Sequence, residues 1–379
     1  MVNIIHIFPY SARTSGGHSN AIHAFITSQR NAGLNAVGLT PITEREDEGD
    51  VPLGFPFLEV ESLGKLRWKT ISQHFAFPAG TVIFNFHSIS RSLRPLICEL
   101  RAAGIPYVFT SHGQLGIQTF ARWLKKFIYL NFLDRGIRGA AGIQVLASSV
   151  ARRLKYLLPG YHGNILVQGN LLDTPNSAIV RATCRADFNI PNGALLLLYL
   201  GRIDVPIKGL DIVVKAFSKL EPGKFTLVFA GPDWEGGKEH LENLAGKLGC
   251  RKGLHFTGPV YGERKWALLR LADVFLFPSR REAFGLAMAE AMACEAPVIT
   301  SNTICLAADL QEADAAEVLQ MNAENLASRI TNFSTDESRR KTVGRNGRNW
   351  VLNYCDNERA GERFREFYEA ILARATRPL

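Results

Sequence analysis

Short runs of apolar and β-branched residues alternate with longer stretches of helical periodicity along most of this chain. The early runs cover residues 3–8, 36–40, 81–86, 107–110, 143–147 and 164–168. They are continuously apolar rather than alternating, as parallel strands covered on both faces are. Between the first two, Ile22, Phe25, Ile26 and Gln29 recur at helical spacing, and Gly33 supplies a stop. Strand, glycine loop, helix and strand together make a βαβ unit. The alternation restarts at 195–201 and runs on through 226–231, 254–258, 274–279, 297–301 and 317–319. Two successive patterns of similar length predict an α/β protein of two doubly wound, Rossmann-like domains. The stretch 169–191, rich in Asn, Asp, Thr and Pro, is the expected linker, with the first domain at 1–172 and the second at 173–356. A last helix from residue 357 sets Phe364, Phe367, Tyr368 and Ile371 on one face, so it must pack on something.

Composition narrows the class. A chain of 379 residues with 46% hydrophobic and 21% charged side chains suits a globular protein of two or three domains. No run approaches the ~18 apolar residues of a membrane span. The apolar start at 2–8 contains Asn3 and His6 and stops at Pro9, which suits a buried strand rather than a leader peptide. The six cysteines are scattered, without a CxxC pair, so free thiols and a cytoplasmic setting are expected. The acidic run 44–50 reads as a solvated loop. The 44 basic against 35 acidic residues leave a formal charge of +9. That excess favours anionic partners, and a basic surface serving solubility alone fits equally well.

The most informative segment is 272–300, ADVFLFPSRREAFGLAMAEAMACEAPVIT. A strand ends in a Pro-Ser turn and leads into a helix, at the carboxyl edge of a parallel sheet where ligands bind. Gly285 permits close backbone approach, and the amides of the helix start can hold phosphate oxygens. Glu282 precedes the helix and Glu290 is expected two turns inside it, both facing one crevice. The pair suits sugar hydroxyls. A helix-dipole role for Glu282 and a solvated one for Glu290 account for the residues equally well.

This segment resembles the E-x-F-G-x-x-x-x-E signature of family-four glycosyltransferases, and four further segments follow in that family's order. GRIDVPIKG, with Arg202 and Lys208, resembles its Gly-Arg and Lys-Gly motif. Ala230-Gly231-Pro232 resembles its turn after the next strand, and His255-Phe256-Thr257-Gly258 the strand whose end approaches the base. In the first half, Ser15-Gly16-Gly17-His18 resembles the glycine loop, and Thr110-Ser111-His112-Gly113 the element whose histidine lies at the donor sugar. Two places depart from the family: Ala296 stands where Gly is common, and Ser301-Asn302-Thr303-Ile304-Cys305 replaces a Gly-Gly turn.

The resemblance implies the GT-B architecture, two Rossmann-like domains facing each other across a cleft, with the final helix (about 357–379) packing back on the first. It implies a retaining enzyme using a nucleotide-sugar donor, with UDP-glucose the default, and a glycan or lipid-linked saccharide as acceptor in polysaccharide synthesis. Arg202 and Lys208 would hold the diphosphate and stabilise the charge growing on it. The amides of Phe284, Gly285 and Leu286 would assist. Glu290 would accept from the ribose hydroxyls, and Glu282 would hold the transferred sugar. Gly231, Phe256 and Thr257 would line the nucleotide, and His112 with Gly16 and Gly17 would approach the sugar from the first domain. No carboxylate suggests itself as a nucleophile, which favours a front-face route in which the departing phosphate takes the acceptor's proton. No DxD motif occurs, so neither a metal nor another cofactor is expected. The alternative is a non-catalytic nucleotide-sugar-binding protein of the same fold. An oxidoreductase is disfavoured because no G-x-G-x-x-G follows a predicted strand, and no nucleic-acid-binding module is recognisable. Residues 122–130, RWLKKFIYL, form a basic and strongly apolar helix. It fits an anionic membrane surface, which would give peripheral association at the inner membrane, or a core helix with a basic edge.

Overall fold

The computed structural model describes residues 1–9, 17–42, 54–78, 80–116, 120–133, 136–172, 185–188 and 190–375. The predicted linker and the acidic run 44–50 therefore lie largely or wholly outside the described residues. Contacts divide the chain into two units, Met1–Leu171 with Cys355–Leu379, and Leu172–Tyr354.

The first unit is built on seven parallel strands: β1 Asn3–Ile7, β2 Asn35–Pro41, β3 Phe57–Val60, β4 Val82–Phe86, β5 Tyr107–Ser111, β6 Gly142–Val145 and β7 Asn164–Val167. Their spatial order is β3-β2-β1-β4-β5-β6-β7. β1, β4, β5 and β6 are buried along their whole length, as their unbroken apolar runs require. Helices α1 Gly17–Asn31, α2 Trp68–His74, α3 Arg94–Ala102, α4 Phe120–Ile128 and α5 Ser148–Leu157 follow in the connections. β3 was not foreseen. It is a four-residue edge strand, only half-buried and paired with β2 alone, so burial did not select a continuous apolar run there.

The second unit has six parallel strands: β8 Leu195–Leu200, β9 Phe225–Ala230, β10 Leu254–Gly258, β11 Val274–Phe277, β12 Val298–Ser301 and β13 Glu317–Leu319. Their order is β10-β9-β8-β11-β12-β13, so strand order reverses between β8 and β11. Helices α6 Val205–Lys208, α7 Leu210–Phe217, α8 Gly237–Lys247, α9 Gly262–Leu271, α10 Leu286–Ala293, α11 Ala307–Glu312, α12 Ala323–Thr335 and α13 Glu337–Tyr354 cover the sheet. Leu197, Tyr199, Leu227, Phe229 and Leu276 form one core with Val213, Val214 and Phe217 of α7.

The last helix, α14 Asn357–Ala375, belongs to the first unit and packs along α1. Phe364, Phe367, Tyr368 and Ile371 are all buried. Phe364 meets Phe25 edge-on at 5.4 Å, Ser28 donates to the Asn357 carbonyl at 2.7 Å, and Asn85 donates to the Tyr368 hydroxyl at 2.9 Å. Gly361 is the point of closest approach, since a Cβ there would lie 2.9 Å from Ala32 Cβ and 3.0 Å from the Ser28 carbonyl. Among the described residues no helix is long and apolar enough to cross a membrane.

Candidate functional site

The carboxyl ends of β8, β9, β10 and β11 carry most of the predicted residues of the second unit, around the reversal in strand order that favours ligand crevices. Gly201 directly follows β8 and Gly231 directly follows β9. A Cβ on Gly231 would lie 2.0 Å from the Gly201 carbonyl, so only glycine lets these turns stack. Both take φ values that side chains disfavour, 147° and 145°. Gly231 N–H donates to Gly258 at the end of β10 at 2.9 Å, tying three strand ends together.

The loop after β8 is organised by the buried Asp204. Its carboxylate caps α6 by accepting from the Ile207 amide at 3.1 Å and lies 3.5 Å from the Arg202 guanidinium. Arg202 also stacks on the Trp234 ring at 4.2 Å, and its carbonyl accepts from the Tyr199 hydroxyl at 2.8 Å. Burial raises the Tyr199 pKa, so that hydroxyl stays a donor. Neither Asp204 nor Trp234 stood out in the sequence, although Asp204 lies within GRIDVPIKG. Lys208 ends α6, and Gly209 follows in left-handed conformation (φ 69°), where a Cβ would lie 2.6 Å from the Pro278 carbonyl.

Lys208 Nζ and Glu282 Oε2 are 2.6 Å apart, and both side chains are about one-fifth exposed. This contact joins the β8 and β11 loops across the strand-order reversal. The loop 301–305, where the sequence departs from the family, packs here: Cys305 N–H donates to the Glu282 carbonyl at 3.2 Å, and Thr303 donates to the Ser279 and Arg280 carbonyls at 3.2 and 3.1 Å. The Thr303 hydroxyl and the Cys305 backbone amide thus tie this loop to the segment that carries Glu282.

Gly285 caps α10 at φ 87°, with Phe277 2.8 Å from where its Cβ would be, and Leu286 opens the helix. The first amides of α10 lack partners in the preceding turn, as at any helix start. Phe284 is buried and stacks on Tyr354 at 6.4 Å, so its ring is a packing element and only its backbone can serve a ligand.

Glu290 is the fifth residue of α10, little more than one turn in, rather than two turns in as expected. It does not share a cation with Glu282. Lys265 of α9, not singled out from the sequence, pairs with Glu290 at 2.6 Å. Burial nevertheless raises the Glu290 pKa, with Lys265 offsetting part of the rise. Phe256 stacks on Phe229 at 5.4 Å under Lys238 Nζ at 5.7 Å, and the Thr257 hydroxyl donates to the Gly258 carbonyl at 3.0 Å. A pocket of about 630 Å³, lined by Val205, Asp211, Trp234, His240 and Arg280 among others, shares Trp234 with Arg202 but includes neither Lys208 nor Glu282.

In the first unit, His112 follows β5 and its Nε2 lies 2.9 Å from His87 Nδ1. Gly17 opens α1, and Gly16 lies outside the described residues. Among the described residues no group of three or more His, Cys, Asp or Glu is arranged to hold a metal.

Residues 180–350 match the family model described as glycosyl transferases group 1. D-inositol 3-phosphate glycosyltransferase of Mycolicibacterium smegmatis is 36% identical over 130 residues, 34% of this chain and 29% of the relative. That of Stackebrandtia nassauensis is 26% identical over 208 residues, 52% of this chain and 47% of the relative. The chain thus spans less than half the length of these curated relatives. Among solved structures, sucrose-phosphate synthase from Thermosynechococcus elongatus superposes with a TM-score of 0.75 at 19% identity, covering 99% of this chain and 100% of that one. Anabaena HepE in complex with UDP-glucose gives 0.72 at 16% identity, covering 98% and 100%. The fold is that of the GT-B glycosyltransferases.

Proposed function

We propose that this chain, whose residues 180–350 match the model of the glycosyl transferases group 1, transfers a hexose from a nucleotide-diphosphate sugar to a glycan or lipid-linked saccharide, with retention of configuration. The observation that carries the reading is the Lys208–Glu282 contact of 2.6 Å at the strand-order reversal, beside Arg202 and the Gly285 helix start. A diphosphate brings negative charge that Lys208 and Arg202 can meet, and Lys208 moving onto phosphate releases Glu282 to accept from a sugar hydroxyl. Stabilising charge on the departing phosphate is a transition-state effect, so it raises turnover and not only affinity. Glu290, held by Lys265, is assigned to the ribose hydroxyls, and Gly231, Phe256 and Thr257 to the nucleoside. UDP-glucose is the preferred donor, supported by the UDP-glucose complex of Anabaena HepE, which has the same fold. His112 and the Gly16-Gly17 loop are assigned to the transferred sugar by the resemblance. Thermal shift and hydrolysis across a panel of nucleotide sugars test the reading. A stabilising shift and slow hydrolysis with UDP-glucose are expected, and no response to any nucleotide sugar sinks it.

We also propose peripheral association with an anionic membrane. The support is in α4, which leaves Leu124 (41%) and Ile128 (42%) exposed beside Arg122 and Lys125. The adjoining α5 adds exposed Arg152, Arg153 and Tyr156, and neither helix contains an acidic residue. Binding to anionic vesicles is the measurement.

A further inference from the structure

Helix α9 connects β10 to β11. Those strands are not neighbours, since β9 and β8 lie between them. The connection therefore runs back over the sheet, and α9 packs on α10. Lys265, in the first turn of α9, meets Glu290 of α10 there: its Nζ lies 2.6 Å from Glu290 Oε1. The ammonium also rests over the Trp266 ring at 4.8 Å. Among ion pairs between described residues, only this one and Lys208–Glu282 have both side chains less than a quarter exposed.

The contact divides the carboxylate between its two oxygens. Oε1 accepts from Lys265, and among the described residues no group donates to Oε2. An ionised carboxylate only accepts, and each oxygen carries its own lone pairs, so Oε2 keeps its accepting capacity while Oε1 is held. Burial raises the Glu290 pKa and Lys265 offsets part of the rise, so the same contact favours the accepting form. A partly buried ion pair adds little net stability, because desolvation offsets the Coulomb attraction. Its effect is on the charge of the carboxylate and on where it points.

We propose that Lys265 is a positioning residue that holds Glu290 so that Oε2 accepts from a ribose hydroxyl, and that it thereby makes nucleotide binding depend on the ribose hydroxyls. This role rests on the proposed assignment of Glu290 to the ribose. It gives the two lysines different parts: Lys208 leaves Glu282 when phosphate arrives, whereas Lys265 stays on Glu290 with the donor bound.

The test is calorimetric binding of UDP and of 2′,3′-dideoxy-UDP, which lacks both hydroxyls, to the full chain. The wild type should prefer UDP about tenfold or more, the scale of a hydrogen bond to a charged group. Lys265→Met should weaken UDP binding by a similar factor and leave dideoxy-UDP binding unchanged, so that the preference disappears. Lys265→Gln is read in the same way if Lys265→Met does not fold. Lys265→Arg, which keeps the charge, should retain the preference. The double variant Lys265→Met with Glu290→Gln should bind UDP no more weakly than Glu290→Gln alone. In turnover, Lys265→Met should raise the donor KM with kcat little changed, as loss of uniform binding does. A Lys265→Met protein that keeps the preference, or that loses affinity for both nucleotides alike, overturns the role of Lys265 and leaves the assignment of Glu290 standing. A wild type that binds both nucleotides alike overturns that assignment, and the role of Lys265 falls with it.

Discussion

At the scale of single residues, ion pairing sets what the site can do. Lys208 and Arg202 each rest beside a carboxylate, Glu282 and Asp204, and Lys208 exchanges that partner for phosphate when the donor binds. Lys208→Ala and Arg202→Ala should each lower turnover about a hundredfold or more, with a circular dichroism spectrum like the wild type's. Normal turnover in either variant removes that residue from the mechanism. Glu290 sets a pH dependence. Its pKa is raised in the folded protein because burial outweighs Lys265, so the folded state binds this proton more tightly than the unfolded chain does. Its contribution to stability is therefore fully present below the ordinary carboxylate value and is lost as pH rises through the raised one. Ribose binding has the opposite sign, since the carboxylate is the better acceptor. UDP affinity should rise roughly tenfold with pH across this titration, and Glu290→Gln should bind weakly with a flat profile. Parallel profiles for the two proteins would exclude Glu290 from the ribose contact.

At the scale of elements, the final helix and α4 make opposite cases. α14 hides its apolar face against α1, with Gly361 giving the space for close approach. Gly361→Val should destabilise the protein by about 1–3 kcal/mol through overpacking. An unchanged melting temperature would mean that the two helices separate without cost. α4 leaves its apolar edge in solvent. Lys126 is partly buried, whereas Arg122 and Lys125 are exposed and lie where an anionic surface would meet them. Wild type should sediment with anionic vesicles at low salt. Arg122→Glu with Lys125→Glu should not, because each charge near such a surface contributes about 1 kcal/mol. A wild type indifferent to vesicles makes α4 a structural helix. The buried strands were readable because burial on both faces leaves an apolar run. β3 was not, because an edge strand four residues long and half-buried carries no such run.

At the scale of the whole molecule, each sheet reverses its strand order once, between β1 and β4 and between β8 and β11. Chemistry-bearing side chains gather at both edges: hydrogen-bonded His6, His87 and His112 on one, and paired cations and carboxylates on the other. The proposed mechanism has phosphate charge met by Arg202, Lys208 and the α10 helix start, without a metal. Turnover should therefore persist in excess EDTA. Complete loss that a divalent cation restores would overturn a metal-independent mechanism.

The sequence by itself determined the parallel α/β class, nearly all strand positions and the site motifs. These are local: a buried strand needs an apolar run, and a tight turn at a ligand edge needs glycine at fixed spacing. It also carried Arg202, Lys208, Glu282 and Glu290 as candidates, because a motif keeps its residues together in the chain. Partnership was decided only in three dimensions. Lys208 meets Glu282 across 74 positions and Lys265 meets Glu290 across 25, contacts made by strand order and helix packing. The turn count of Glu290 was misjudged because it depends on where α10 starts, and Gly285 sets that start from within its own turn. The histidine contacts were invisible for the same reason. His6, His87 and His112 are spread over a hundred residues of chain, and only the parallel register of β1, β4 and β5 makes them neighbours.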